Sequence, residues 1–200
     1  MHGCNGEFVL SSREGNMAAD IKESDLKYRF PFSVSDYLIR FADSEAHSGS
    51  SQWAVDFLLP EGTEVLAAAD GRVVNFKDDS DRCGPNPSFA DDANYITLDH
   101  GPEHSQYVHL KYRSVVVEVG DIVEIGQVIG YTGSTGWTTE PHLHFMVFKA
   151  FLSGQFESRR MRPLPLTWHS IQRQFRLAER HPEQVTPAWL GFMHIVTKGS

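Results

Sequence analysis

The 200-residue sequence lacks the features expected of a membrane-spanning or nucleic-acid-binding protein. No run approaches the roughly 18 apolar residues that a membrane span needs. Residues 1–20 also lack the apolar segment of a signal peptide. Asp and Glu outnumber Lys and Arg by 26 to 18, so the formal net charge is -8 and no basic face is evident. We therefore expect a chain that neither spans a membrane nor binds a nucleic-acid backbone.

Cysteine is nearly absent, since the chain contains only Cys4 and Cys83. Two thiols allow at most one disulfide bond, and neither cysteine belongs to a CxxC pair of the kind that holds structural zinc. The cysteines therefore leave the disulfide state open and do not indicate the cellular compartment.

The composition is that of an ordinary globular protein, with 40% hydrophobic and 22% charged residues, 16 Gly and 10 Pro. Frequent glycine and proline indicate many turns between short elements and favour β structure. We predict a flexible lead-in over residues 1–27, a β domain over residues 28–168 and a C-terminal extension over residues 169–200.

Two segments of the predicted β domain resemble each other, residues 60–74 and 119–130. Each has the pattern strand, tight turn, strand, with glycines where turns need positive φ. The repeat predicts an all-β fold, an antiparallel β-sandwich of the duplicated hybrid (barrel-sandwich) type with short N- and C-terminal extensions. Before the repeats we predict a strand over residues 52–59. After them we predict irregular chain over residues 149–162, an edge strand over residues 163–168 and a short helix over residues 171–180.

The strongest indication of a functional site is the pair His142 and His144, which lies in an apolar run. Residues i and i+2 of a strand point to the same face, so the two imidazoles lie side by side, a spacing that suits one metal ion. Two surface histidines on a half-exposed strand are the alternative, because short motifs often match by chance.

Two further residues have the chemistry of a metal site. Asp56 interrupts an otherwise apolar strand, and His109 stands where another strand should end. Catalytic zinc takes about three protein ligands from His, Asp or Glu and keeps one position open. Asp56, His109 and the histidine pair form one site if their three strands are neighbours.

These motifs, taken in order, resemble one known family. The sequence resembles the lysostaphin/LytM-type zinc metallopeptidases over residues 47–148, in the segments Gln52-Trp53-Ala54-Val55-Asp56-Phe57, Tyr107-x-His109-Leu110, Thr132-Gly133-Ser134-Thr135-Gly136 and Pro141-His142-Leu143-His144-Phe145. Two glycine-rich segments, within residues 60–73 and 120–130, fall in register with them. The resemblance implies a β peptidase domain with one Zn²⁺ in a groove, which cuts peptide bonds in bacterial peptidoglycan.

The resemblance also implies roles for individual residues. Asp56 and His144 match the zinc ligands of the family, and His109 and His142 match its catalytic histidines. The remaining ligand in the family is the histidine of an H-x-x-x-D motif, and Gln52 occupies that position here. Because an amide oxygen is a poorer zinc ligand than imidazole, we hypothesise that His47 folds back to serve instead. An exposed loop histidine is the alternative for His47.

The function implied is that of a zinc metalloendopeptidase in the cell envelope, periplasmic or extracellular, and we expect a monomer. The alternative is a degenerate LytM-like domain that binds cell wall or activates a partner amidase without cutting, and Gln52 is its main support. A biotinyl or lipoyl carrier domain fits less well, because the corresponding turns contain no lysine. We further expect Asn94 to be structural and His100 and His104 to be solvated.

Overall fold

The computed structural model describes residues 22–39, 41–42 and 47–198. Cys4 and most of the predicted lead-in lie outside these residues. The described strands and helices are, in chain order, β1 (Glu23–Tyr28), β2 (Phe41–Ala42), β3 (Val55–Phe57), β4 (Glu64–Leu66), β5 (Gly71–Lys77), β6 (Cys83–Gly84), β7 (Tyr95–Asp99), β8 (His104–Val108), β9 (Ile122–Val123), β10 (Val128–Tyr131), β11 (Gly136–Trp137), β12 (Leu143–Ala150), β13 (Phe156–Pro163), α1 (Trp168–Arg180) and α2 (Pro187–Lys198).

Among the described residues, nine strands form one curled sheet. Hydrogen-bonded neighbours follow the order β1-β13-β12-β8-β7-β5-β9, and β3 pairs with both β12 and β2. The prediction of a mainly β fold is confirmed, but the sheet is mixed, because β1 runs parallel to β13. This pairing joins opposite ends of the domain, which local sequence patterns do not report. The sandwich of duplicated hybrid type stays a prediction.

The two similar segments of the sequence pair with each other. Antiparallel pairs form between β4 and β10 and between β5 and β9, so each strand of one segment meets a strand of the other. Gly62, Gly120 and Gly126 adopt φ values of 84°, 102° and 88° in the turns, a region that L side chains rarely occupy.

The N-terminal boundary of the domain lies earlier than predicted. Residues 23–27 of the predicted flexible lead-in belong to β1, whose backbone is held by the buried carboxylate of Glu103. That carboxylate accepts hydrogen bonds from the amides of Asp25 and Leu26, at 3.0 and 2.9 Å, and from the Tyr28 hydroxyl at 3.0 Å. A buried carboxylate needs such donors, so Glu103 and β1 stabilise each other.

The chain after the histidine pair is also more regular than predicted. Residues 149–162, predicted to be irregular, include the end of β12 and most of β13, which pair antiparallel. The edge strand predicted over residues 163–168 is wrong, because β13 ends at Pro163 and α1 begins at Trp168. The sequence of β13 has no alternation of apolar residues, because charged and polar side chains occupy most of its positions, so local pattern does not indicate a strand here.

The C-terminal extension packs two helices onto the sheet domain. The short helix predicted over residues 171–180 is confirmed by α1. Its buried Gln174 accepts from the Ile39 amide and donates to the carbonyls of Val34 and Tyr37, which ties α1 to the chain after β1. No helix in the described part of the chain is long and apolar enough to cross a membrane.

Candidate metal centre and active site

The sheet brings the three strands of the predicted site together. β12 pairs with β3 on one side and with β8 on the other, so that His144 stands opposite both Asp56 and Val108. His109 follows Val108 directly, at the point where β8 ends. The condition left open by the sequence, that the three strands are neighbours, is met.

A turn before β3 brings His47 back to this point. The strand predicted over residues 52–59 is limited to β3, because Gly49–Ser51 forms a 3₁₀ turn in which Gly49 adopts a φ of 55°. His47 Nε2 consequently lies 3.0 Å from Asp56 Oδ1. Gln52 is exposed, and it lines a cavity together with Val55 and Phe57, the neighbours of Asp56 in β3 that face the opposite side of the strand.

His47, Asp56 and His144 form a compact set of possible metal ligands. Asp56 Oδ1 lies 3.0 Å from His47 Nε2 and 2.8 Å from His144 Nδ1, and the two ring nitrogens are 3.4 Å apart. One ligand atom from each residue falls within 4.8 Å of the others. Two imidazoles and one carboxylate are ligands that zinc prefers.

The Asp56 carboxylate is suited to remain ionised. Its residue is only 2% exposed. Burial alone would raise the pKa of Asp56, but hydrogen bonds with His144 and His47 outweigh it and hold the pKa well below its usual range. The negative charge is therefore available to a cation at neutral pH.

His109 and His142 stand beside this cluster with their rings 4.5 Å apart. The Nδ1 of His109 donates to the Thr135 carbonyl at 2.7 Å, and the Nδ1 of His142 donates to the Glu140 carbonyl at 2.9 Å. In a neutral imidazole this leaves Nε2 as the proton acceptor. His142 Nε2 lies 3.8 Å from Asp56 Oδ1, so it faces the cluster.

The backbone of His109 is held in an unusual conformation. Its φ is 65°, in the left-handed region that residues other than glycine seldom adopt. The Gly133 amide donates to the His109 carbonyl at 2.8 Å. A side chain on Gly133 would meet the backbone of Lys111 at 2.6 Å. The contact between residues 109–111 and Gly133 therefore sets the position of the His109 imidazole.

Comparison with known proteins identifies the family of this chain. The model of peptidase family M23 matches residues 50–158, which is more than half of the chain. The chain belongs to peptidase family M23.

Several M23 relatives match about half of this chain. It is 37% identical over 98 residues to the glycyl-glycine endopeptidase ALE-1 of Staphylococcus capitis, covering 49% of this chain and 25% of the relative. It is 37% identical over 91 residues to the peptidoglycan DD-endopeptidase ShyA of Vibrio cholerae, covering 45% and 18%. The structure of lysostaphin from Staphylococcus simulans aligns with a TM-score of 0.44 and 28% identity, over 60% of this chain and 47% of lysostaphin. The match thus spans a quarter or less of the length of the two sequence relatives.

Burial lowers the pKa of His109 in this M23 domain to about 3, and the neighbouring His142 adds to the effect. Because a buried imidazolium is poorly solvated, the neutral ring is favoured. The neutral His109, with its Nδ1 hydrogen-bonded, therefore presents a free Nε2 lone pair, and its low pKa makes this nitrogen a weak base.

A hydrogen-bond network that sequence reasoning missed surrounds Thr135, whose carbonyl accepts from His109. The Thr135 hydroxyl donates to the Leu110 carbonyl at 2.8 Å and accepts from the Asn94 amide at 3.0 Å. The Asn94 side chain donates to the carbonyls of Ser80 and Leu110, which confirms its structural role. The one feature of the sequence that pointed to this network was the Ser134-Thr135-Gly136 motif. The motif does not indicate which carbonyl accepts a hydrogen bond from His109.

The two histidines expected to be solvated are built into the sheet instead. His100 Nδ1 donates to the Asp70 carbonyl at 2.7 Å, and its Nε2 lies 2.8 Å from Ser105 Oγ. The ring of His104 stacks on Phe148 with centroids 5.3 Å apart. Adjacent strands supply these partners. The connection between β7 and β8, which is polar in composition, is therefore structured.

The Thr135 hydroxyl is predicted to position His109. In Thr135→Val the shape is kept but the bonds to Leu110 and Asn94 are lost, so the Thr135 carbonyl no longer holds the His109 ring firmly. We expect kcat to fall about tenfold with KM nearly unchanged, because roughly 1.4 kcal/mol of transition-state stabilisation is lost. Steady-state kinetics on a peptide substrate measure this.

Thr135→Ser is the matched control, because it keeps the hydroxyl and should restore most of kcat. If Thr135→Ser loses as much activity as Thr135→Val, or if Thr135→Val loses none, the activity does not follow the hydroxyl and the positioning role is wrong.

Proposed function

We propose that this M23 peptidase is a zinc-dependent metalloendopeptidase that hydrolyses peptide bonds in bacterial peptidoglycan, in stem peptides or cross-bridges. The observation that carries the proposal is the convergence of His47, Asp56 and His144 beside two histidines whose Nε2 atoms are free to exchange protons. A metal cluster alone fits many functions, but a cluster flanked by two oriented imidazoles is suited to hydrolysis.

His47, Asp56 and His144 would hold the zinc ion, and this set fits zinc in number and in chemistry. Zinc bound there would supply Lewis-acid polarisation of the scissile carbonyl and would lower the pKa of a coordinated water. Two neutral imidazoles and one carboxylate leave a net positive charge on the occupied centre, which favours a developing oxyanion nearby.

His109 and His142 would carry out the proton transfers. Each presents Nε2, because its Nδ1 hydrogen is held by a backbone carbonyl. One imidazole would take a proton from the attacking water at Nε2, and the imidazolium formed in this way would pass that proton on to the leaving amine. The other imidazole would donate from Nε2 to the oxyanion in its protonated form. Both rings are held by protein groups before substrate binds, so little reorganisation is needed during the reaction.

The relatives support the class of substrate. ALE-1 is named a glycyl-glycine endopeptidase and ShyA a peptidoglycan DD-endopeptidase, and both names describe cleavage of peptide bonds. By extension we propose peptidoglycan as the partner, the cell envelope as the compartment and a monomer as the working unit.

The position of Gln52 favours an enzyme over the regulatory alternative. A degenerate domain that only activates an amidase was suggested by the replacement of a ligand histidine. Since Gln52 is exposed and His47 stands next to Asp56, a ligand set of His47, Asp56 and His144 would not need residue 52. The alternative therefore loses its main support.

Digestion of purified peptidoglycan tests the proposal. We expect the zinc-loaded protein to release new amino termini from peptidoglycan, and mass spectrometry of the fragments would name the bond. A pentaglycine peptide and a cross-linked stem peptide, assayed in parallel, separate cross-bridge cleavage from stem-peptide cleavage. Removal of zinc with a chelator should abolish cleavage, and added zinc should restore it. Bound zinc without cleavage of any of the three substrates would favour the regulatory domain.

A further inference from the structure

A cavity lies on the side of β3 opposite the Asp56 carboxylate. Successive residues of a strand face opposite sides, so Val55 and Phe57 point away from the metal cluster, and both line a cavity of about 510 Å³. A volume of this size is typical of pockets that hold small molecules. An occupant would contact the strand that carries Asp56 without entering the metal centre.

The walls of the cavity are mainly apolar. Phe30, Trp53, Met161 and Phe192 contribute aromatic and thioether surface from four separate segments of the chain. Trp53 and Met161 are only half-buried, so part of this apolar surface is open to solvent. Such surface gains free energy when a hydrocarbon group covers it.

Two cations at the rim have no partner. The side chains of Lys27 and Arg160 line the cavity and are exposed, and neither forms an ion pair or hydrogen bond among the residues that the structure describes. Arg162, also at the rim, lies at 4.0 Å from Glu23, the one acidic residue of the lining. The rim therefore carries an excess of positive charge.

An excess of positive charge is unusual in this chain, whose formal net charge is -8. Residues 156–200 contain seven Lys and Arg against three Asp and Glu, whereas the whole chain has 18 against 26. The positive charge is thus concentrated on the side of the molecule formed by β13 and the C-terminal helices. An apolar cavity with cations at its mouth matches a ligand with a hydrocarbon body and an anionic end.

We propose that this cavity binds a single-chain amphiphile with an anionic head group, of the class of long-chain alkyl carboxylates. The alkyl chain lies against Trp53, Met161 and Phe192, and the carboxylate meets Lys27 and Arg160. The proposal does not depend on the metal centre, since none of these residues belongs to it.

Calorimetric titration of the full chain with decanoate, below its micelle concentration, tests the proposal. Decanol and decyltrimethylammonium carry the same alkyl chain with a neutral and a cationic head. We expect decanoate to bind most tightly, decanol about fivefold more weakly, and decyltrimethylammonium more weakly still, because exposed ion pairs contribute modestly. Equal binding of all three, or no binding of decanoate, would overturn the proposal.

Variants test whether decanoate binds in this cavity. Arg160→Gln should weaken decanoate about fivefold and leave decanol unchanged, because it removes one charge from an exposed position. Arg173→Gln, on the exposed side of α1, is the matched control and should bind like the original chain. Met161→Trp, which fills the cavity, should prevent binding of both decanoate and decanol while circular dichroism reports an unchanged fold. Equal effects of the Arg160 and Arg173 variants would refute a site at this cavity.

Discussion

The His47→Ala variant is expected to lose zinc and peptidase activity together. His47 Nε2 lies 3.0 Å from Asp56 Oδ1 and 3.4 Å from His144 Nδ1, so it would supply the third ligand atom in the proposed zinc site. Loss of an outer-shell partner typically lowers metal affinity about 10- to 100-fold, and loss of a ligand should exceed that. Zinc content after dialysis, measured by elemental analysis, and cleavage of peptidoglycan check the result.

Gln52→Ala is the control for this variant. Gln52 stands where the family pattern has histidine, but it is exposed and lines the cavity that also contains Val55 and Phe57. Zinc content and activity should therefore be unchanged. Loss of zinc from Gln52→Ala together with its retention in His47→Ala would reverse the assignment and restore the ligand position of the family pattern.

The His109→Asn variant is expected to keep zinc and lose most of its activity. Asparagine tolerates the left-handed conformation found at His109, whose φ is 65°, so the backbone should be preserved. Removal of a group that transfers protons typically costs about 10²- to 10⁴-fold in rate. Zinc content and kcat, measured on the same preparation, separate this outcome from loss of the metal.

His142→Ala should behave in the same way, since the His142 ring lies 4.5 Å from that of His109. His169→Ala is the control, because His169 is exposed on α1 and away from the site. Activity within a few-fold of the original in either site variant would rule out a proton-transfer role for that histidine.

Much of the candidate site was predictable because its chemistry is local. His142 and His144 share one face of a strand through their spacing, and Asp56 is conspicuous in an apolar segment. The order of these motifs along the chain also predicted the family, which the comparison confirmed. The roles of Asp56, His109, His142 and His144 stay predictions that the variants above test.

Other features depended on contacts between distant segments. The parallel pairing of β1 with β13 and the burial of Glu103 beneath β1 join residues far apart in sequence. No local periodicity reports such contacts, and for this reason residues 23–27 were predicted to be flexible. The strand β13 likewise has no alternation of apolar residues, and its pairing with β12 and β1 is what establishes it.

The sequence by itself determined a mainly β peptidase domain and the kinds of side chain at its centre, since residue type and strand spacing are local properties. The tertiary structure decided which residues meet. It brought His47 rather than Gln52 to Asp56, through a 3₁₀ turn at Gly49–Ser51. It also fixed the orientation of the His109 imidazole, whose Nδ1 donates a hydrogen bond to the Thr135 carbonyl. Both results depend on how the backbone turns in three dimensions. The spacing of residues along the sequence does not determine these turns.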